Sequence, residues 1–286
     1  MAADDHDETQ SGLEIGQEAF TALADHLQAA TGIVLSEAKK GLAVSRLSRR
    51  LRALNLPDFD AYCALLTGPD GATELEEMIL LLTTNVTRFF REMHHFEALK
   101  NDILPGLLDR ARKGGRVRIW SAGCSSGEEA YSIAMSVFAA GSDAGRLDIR
   151  ILATDIDRNM IAKGRLGCYR LDADDIARQP SLGKDLLPKA GSAHEYEVSD
   201  RLREMVQFGE LNLTKQWPMQ GKFDVIFCRN VVIYFSPETQ RRLWPRFAAA
   251  LQPGGQLMIG HSERVTGPAI KVLRSNGVTQ YQHHPK

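Results

Sequence analysis

The apolar residues of this chain repeat at two different spacings, and the switch between them near Gly115 restricts the folds open to it. From 17 to about 82 the spacing is helical: Ala19, Phe20, Leu23, Leu27 and Ala30 recur three and four residues apart, and Gly32 stands where that helix would stop. Ser36 is placed to start a second helix ending near Asn55, with Leu47, Leu51 and Leu54 as its apolar stripe. Pro57 breaks the pattern, Asp58 is placed to cap a short helix through Leu66, and the Gly-Pro-Asp-Gly run at 68–71 makes a loop before a helix over 72–82. Beyond Gly115, strands alternate with helices. Strands are expected over 116–122, 147–154, 223–228 and 256–260, and helices over 128–139, 158–165 and 237–251. Such alternation predicts an α/β fold on a doubly wound, mostly parallel sheet, with ligands at the carboxyl ends of its strands.

The same reading divides the chain. Residues 1–15 are polar and acidic and read as a disordered tail, 16–83 as a small all-helical N-terminal domain, and 84–286 as the sheet domain. Between 169 and 211 the alternation stops. Pro180, Gly183, Pro188 and Gly191, followed by strand-like pieces at 195–198 and 205–208, read as an inserted antiparallel β-subdomain. A formal net charge of -1 gives no sign of a polyanionic partner. No stretch nears the roughly 18 apolar residues of a membrane span, and the acidic start lacks the pattern of an export signal, so a cytoplasmic location is expected. Cys63, Cys124, Cys168 and Cys228 are scattered without C-x-x-C spacing, as packed reduced thiols would be.

The densest group of chemistry-bearing residues is Arg118-Ile-Trp-Ser-Ala-Gly-Cys-Ser-Ser-Gly-Glu-Glu-Ala-Tyr, a strand that ends at Gly123 with Gly127 at the mouth of a helix. Glycines there let backbone approach a ligand, and N–H groups at a helix start favour a carboxylate or phosphate. The turn lacks the third glycine of G-x-G-x-x-G and the lysine of a P-loop, which argues against a polyphosphate. Glu128 and Glu129 suit the helix dipole, but two acids also repel phosphate and attract an ammonium group. The next strand ends Thr154-Asp-Ile-Asp, where Asp155 is placed to accept hydrogen bonds from ribose hydroxyls; the alternative is that Asp155 or Asp157 simply caps the helix near Arg158. A third strand runs into Cys228-Arg-Asn-Val-Val-Ile-Tyr-Phe and brings Arg229, Asn230 and Tyr234 to the same edge.

Taken in order, Thr84-Asn-Val-Thr-Arg-Phe-Phe-Arg-Glu, Trp120-Ser-Ala-Gly-Cys-Ser-Ser-Gly-Glu-Glu, Thr154-Asp-Ile-Asp, Asn212-Leu, Phe227-Cys-Arg-Asn-Val-Val-Ile-Tyr-Phe and Gly260-His-Ser-Glu closely resemble the motifs of the chemotaxis protein methyltransferase family. Members of that family use S-adenosylmethionine to methylate glutamates on chemoreceptors. The resemblance spans about 77–263, and the helical segment before it matches in pattern more than in letters. It implies a Rossmann-like methyltransferase sheet, S-adenosylmethionine as cofactor with S-adenosylhomocysteine as product, and contacts to that cofactor from Asn85, Thr87, Arg91, Glu129, Asp155, Asn212, Leu213, Arg229 and Asn230. It further implies that Arg91 and Tyr234 lie beside the transferred methyl group. Ala130 stands where a proline is common, and Gly123 with Ser126 vary the turn; neither change removes a functional group. Phe89 and Phe90 read as core.

Lys39, Lys40, Arg46, Arg49 and Arg50 crowd one expected helix and flank its leucine stripe. Nucleic acid is disfavoured because net charge is near zero and no aromatic platform accompanies these cations. The resemblance instead implies that they meet an acidic helical face in the cytoplasmic region of a chemoreceptor. The insertion occupies the place where some members carry a β-subdomain that grips a receptor's C-terminal peptide by strand addition, and the sequence alone leaves that use undecided. No insertion into a membrane is expected. His94 and His95 are consecutive, hence expected on different helix faces, while His283 and His284 read as a terminal tail, so no metal site is expected. The competing readings are a methyltransferase acting on nucleic acid or a small molecule, and a non-catalytic sensor that binds the cofactor and docks on signalling partners.

Overall fold

The structure, a computed structural model, describes residues 13–172, 175–176, 182–192 and 194–285; most of the expected tail at 1–15, and Pro180 of the insertion, lie outside them. The chain separates into two compact units, Met1–Thr83 and Thr84–Lys286.

The first unit is helical, with α1 (Gln17–Thr31), α2 (Lys40–Ala53), α3 (Phe59–Thr67) and α4 (Gly71–Leu82). Gly32 ends α1 in the left-handed conformation (φ 77°), and the Asp58 carboxylate caps α3 by accepting from the Ala61 N–H at 2.8 Å. Ser36 does not cap α2. A 3-10 turn over Glu37–Lys39 intervenes, and the helix proper starts at Lys40. Phe20, Leu23, Leu27, Leu47, Leu51, Phe59, Tyr62 and Met78 form the core. Glu74 lies buried among them and accepts from Arg50 Nε (3.0 Å), Arg50 Nη2 (2.6 Å) and the Tyr62 hydroxyl (2.8 Å). Burial would raise the Glu74 carboxyl, but these donors outweigh it and hold it below the ordinary carboxylate range. Arg46 donates to the carbonyls of Leu81 (3.1 Å) and Thr83 (2.6 Å). Of the cations expected to face a partner, Arg46 and Arg50 are therefore engaged inside their own unit, and Lys40 donates to Gln17 Oε1 at 3.2 Å and lies over the Phe20 ring.

The second unit is built on a seven-stranded sheet in the order β6-β2-β1-β7-β8-β10-β9. Its strands are β1 (Val117–Ala122), β2 (Ile149–Asp155), β6 (Val206–Glu210), β7 (Phe223–Cys228), β8 (Leu251–Ile259), β9 (Leu273–Gly277) and β10 (Gln280–His283). β6, β2, β1, β7 and β8 run parallel, and only β10 pairs antiparallel with its neighbours. The doubly wound sheet expected from the alternation is present. α7 (Glu128–Ala140) follows β1 and α8 (Arg158–Leu166) follows β2, while α5 (His94–Ala98), a π-turn (Leu99–Ile103) and α6 (Leu104–Arg112) precede β1. β1 and β7 are buried on both faces, so they read in sequence as nearly continuous apolar runs.

Three expectations change. The piece at 205–208 is not part of the insertion: β6 pairs parallel with β2, Ala153 opposite Phe208, and closes one edge of the main sheet. The antiparallel β-subdomain consists instead of β3 (Cys168–Arg170), β4 (Leu186–Pro188) and β5 (Glu195–Val198), in the order β3-β5-β4. The strand expected over 256–260 starts earlier: the chain enters β8 at Leu251, directly after the helix, and carries Gly254 and Gly255 as an irregularity in its pairing with β7. His283 is no tail residue. It lies buried in β10, its ring nitrogen 3.0 Å from the Gln252 carbonyl.

Glu74→Ala removes the acceptor shared by Arg50 and Tyr62 and strands both, so urea unfolding followed by circular dichroism should show a loss of about 2 to 3 kcal/mol. Because the Glu74 carboxyl is held low, its contribution is present above the ordinary carboxylate range and disappears as pH falls, so the gap between variant and wild type should close in acid. Equal midpoints at neutral pH would refute the network's role.

Candidate functional site

The carboxyl ends of β1, β2, β7 and β8 and the irregular segment before α5 carry the candidate residues. After β1 the chain turns at Gly123 (φ 82°), where an added Cβ would lie 2.3 Å from a Val231 methyl. Gly123 and Cys124 both donate N–H to the Thr154 carbonyl, at 2.7 and 2.9 Å, which closes the turn onto β2. Gly127 (φ 98°) opens α7 without a side-chain cap.

At the end of β2 the capping alternative falls to one of the two aspartates. Asp157 is the cap of α8, accepting from the N–H groups of Asn159 (2.9 Å) and Met160 (3.2 Å), and its second oxygen accepts from Asn85 Nδ2 at 2.7 Å. Asp155 caps nothing. It is buried and accepts from the N–H groups of Ser125 (2.8 Å) and Asp157 (2.9 Å); burial raises its carboxyl, only partly offset by the backbone donors of Asp157, Ser125 and Ile156. Each carboxylate oxygen has room for a further donor. The Leu211 N–H reaches the Asp155 carbonyl at 2.8 Å, so Asn212 and buried Leu213 follow next to this strand end. Asn212 closes its own turn, its side-chain oxygen accepting from Thr214 N at 2.9 Å.

Arg229 is the centre of the electrostatics. Its side chain is 1% exposed, with Nη2 3.5 Å from Glu92 Oε2 and Nη1 3.4 Å from Glu129 Oε2. Nη2 also donates to the Arg91 carbonyl, and the guanidinium lies 5.4 Å over the Phe96 ring. Nε and Nη1 of Arg229 and Oε2 of Glu92 are buried without a hydrogen-bond partner. Glu129 accepts from the Ser121 hydroxyl at 2.6 Å; burial raises its carboxyl against the pull of Arg229 and Ser121. Burial acts the same way on Glu92, but His261, Arg229 and Asn230 overcome it and hold that carboxyl down to about 2.

Arg91 is presented between two left-handed, non-glycine residues, Phe90 (φ 52°) and Glu92 (φ 57°). Its Nη1 donates to the Val86 carbonyl at 3.0 Å. The segment is pinned from below: Phe89 packs edge-on against Tyr169 and Phe90 against Phe96, and the Phe90 N–H donates to Ser132 Oγ at 2.9 Å. The core reading of both phenylalanines therefore holds. Together with Ser125 (φ 48°) and Asn230 (φ 58°), four of the six positive-φ non-glycine residues among those described gather at this edge, the pattern of strain held at a working site. Tyr234 ends a 3-10 turn, Val232–Tyr234, and is half-buried, as is Thr87.

The structure thus brings Asn85, Arg91, Gly123, Glu129, Asp155, Arg229, Asn230 and Tyr234 to one edge, with Asn212 and Leu213 beside it. Sequence reasoning gave no role to Glu92, Ser121, Ser125, His261 or Glu263. Glu92 and Glu263 stood inside the quoted motifs, but nothing in their spacing signals that a glutamate is buried. His94 is exposed and His95 buried, on different faces as expected, yet their rings lie 4.1 Å apart and both reach Thr279 Oγ1. Glu92, His94 and His95 bring three ligand-type atoms within 4.8 Å of one another, but Arg229 already sets a positive charge against Glu92. A groove of about 530 Å³ lined by Trp217, Lys222, Phe223 and Arg246 lies at the amino end of β7, away from these residues.

Comparison with known proteins agrees in extent with both units. The family model described as "CheR methyltransferase, all-alpha domain" matches residues 18–83, and that described as "CheR methyltransferase, SAM binding domain" matches 85–280. A probable chemotaxis protein methyltransferase of Rhizobium etli is 49% identical over 257 residues, covering 89% of this chain and 96% of that protein. Chemotaxis protein methyltransferase 2 of Pseudomonas aeruginosa is 41% identical over 272 residues (93% and 92%), and the chemotaxis protein methyltransferase of Escherichia coli 40% over 256 (88% and 86%).

Glu92→Gln provides a test of the charge cluster. With the folded carboxyl held at about 2 against an ordinary 4.5, Glu92 contributes stability that is fully present above about 4.5 and is lost as pH falls toward 2. Wild type should therefore lose thermal stability faster than the variant across that window, and parallel profiles would contradict the assigned contacts.

Proposed function

We propose a substrate from this premise: the chain belongs to the CheR methyltransferase family and is an S-adenosylmethionine-dependent methyltransferase. The acceptor is the side-chain carboxylate of glutamates on a chemoreceptor, which becomes a methyl ester. S-Adenosylmethionine supplies the chemistry, a methyl group made electrophilic by a sulfonium.

The residues present fit that group. Arg229 has two buried nitrogens, Nε and Nη1, that make no hydrogen bond and are suited to the cofactor's carboxylate, and Glu129 beside Nη1 suits the α-ammonium. Asp155 has acceptor capacity for ribose hydroxyls, and Gly123, Asn85, Thr87, Asn212, Leu213 and Asn230 supply the remaining cofactor contacts. The observation that carries the reading is this buried guanidinium set between two carboxylates, a charge pattern complementary to an amino-acid zwitterion.

A glutamate carboxylate is ionised near neutral pH and needs no general base, so the protein's work is placement. Arg91 holds the carboxylate and Tyr234 gives it a hydroxyl donor or an aromatic wall. Attack joins an anion to a cation and disperses both charges, so excluding water and fixing the line of approach favour it. Too tight a pairing with Arg91 would blunt the nucleophile, and orientation competes with reactivity.

For the receptor, Lys39, Lys40 and Arg49 are the docking cations: Arg46 and Arg50 are engaged within the helical unit, whereas the contact of Lys40 with Gln17 is an exposed one. They meet an acidic helical face in the receptor's cytoplasmic region, a contact that weakens with salt. The three-stranded β-subdomain offers edges to which an extended receptor segment adds by backbone pairing.

Incubation with labelled cofactor and receptor-bearing membranes should place base-labile label on the receptor, and label on nucleic acid or on no receptor at all would overturn the reading. Arg91→Ala should abolish labelling while leaving the fold intact. Asp155→Ala should weaken cofactor binding by more than about tenfold, roughly 1.4 kcal/mol; calorimetry showing unchanged affinity would remove it from the ribose site.

A further inference from the structure

The Gly260-His-Ser-Glu segment after β8 supplies none of the groups assigned above, yet it reaches both sides of the site. Glu263 is 3% exposed, and its carboxylate accepts five backbone N–H groups. Oε2 takes Gly260 at 2.5 Å and Asn230 at 3.1 Å; Oε1 takes Val231 at 2.9 Å, Val232 at 2.9 Å and Ile233 at 3.3 Å. Consecutive N–H groups converging on one point form an anion nest, generated here by left-handed Asn230 followed by right-handed Val231. In most nests the anion is a ligand. Here it is a side chain of the chain itself, and five donors saturate its two oxygens, leaving it unsuited to bind anything else.

The nest is the turn between Asn230 and Tyr234. Gly260 permits the close approach, because a Cβ there would lie 2.6 Å from Asn230 Nδ2 and 2.7 Å from its backbone nitrogen. The same segment also holds the opposite side, with His261 Nδ1 2.8 Å from Glu92 Oε1, next to Arg91.

We propose that Glu263 is a positioning residue for methyl transfer, an internal anion that fixes the turn presenting Asn230 and Tyr234. The proposal rests on the reading that those two residues face the cofactor and the acceptor carboxylate. Glu263 touches neither; it acts through the turn. Glu263→Gln keeps the volume but replaces one oxygen with an NH2 that faces N–H donors, whereas Glu263→Ala leaves a nest open to a small carboxylate from solution.

The test uses the full chain with receptor membranes and measures kcat, KM, cofactor affinity and hydrogen exchange of the 231–233 amides, with and without formate. Both variants should be folded by circular dichroism, with kcat per folded molecule down roughly 100-fold, the scale of a misplaced reacting group. Formate should restore kcat and amide protection together in Glu263→Ala, and change neither wild type nor Glu263→Gln. A purely structural role would lower the melting temperature and leave kcat per folded molecule intact. Folded variants with near-wild-type kcat, or formate that restores protection without restoring kcat, would overturn the proposal. Should Glu263→Ala fail to fold, the isosteric Glu263→Gln carries the kcat arm by itself. If wild type labels no receptor, the substrate reading fails instead, and formate-dependent recovery of cofactor affinity in Glu263→Ala still decides the role of Glu263 through Asn230.

Discussion

A guanidinium out of reach of water has to be matched by its surroundings, and the match found for Arg229 organises the catalytic unit. Its two partner carboxylates come from different places: Glu92 from the irregular segment before α5, Glu129 from the first turn of α7. The Arg91 carbonyl and the Phe96 ring complete the enclosure. An unmatched buried charge costs several kcal/mol, so the segment carrying Arg91 cannot move away without exposing that cost. Its own backbone offers little resistance to moving, with left-handed residues on both sides of Arg91. The ion cluster and the packed pair Phe89 and Phe90 hold it in place.

The acids of this edge are not equivalent. Burial raises Glu129, Asp155 and Glu263, while Glu92 is pulled far down by the hydrogen bonds of His261 and Asn230 and the charge of Arg229. Glu92 is thus a fixed negative element, spent on structure. Glu129 and Asp155 are acids for which the folded protein supplies too few donors, and a ligand bringing an ammonium and hydroxyl groups would relieve both. Function is written here as incomplete satisfaction, the usual trade between stability and binding.

Much of this was legible beforehand because strand and helix periods are local. β7 and α3 fall close to their expected limits, and the residues that head for the sheet edge do so because parallel strands alternate with helices. The failures share one cause, which is pairing between distant segments. Residues 206–210 have the same short strand-like pattern whether they join a small antiparallel sheet or lie parallel to β2, and the partner decides. Asp155 and Asp157 are equally good caps on paper, and only the direction of β2 at its end separates them. Arg46 and Arg50 look like a solvent-facing basic stripe until Glu74 and the end of α4 come round to meet them.

By itself the sequence determined the two units, the alternating architecture, the family and most of the residues at the edge, since apolar period, turn glycines and short motifs are encoded within a few residues. The tertiary structure alone decided what the buried acids do. Glu263 lies about thirty residues from four of the five N–H groups it binds and Glu92 well over a hundred from Arg229, and the energy of a buried charge depends on its neighbours in space, which no spacing along the chain records.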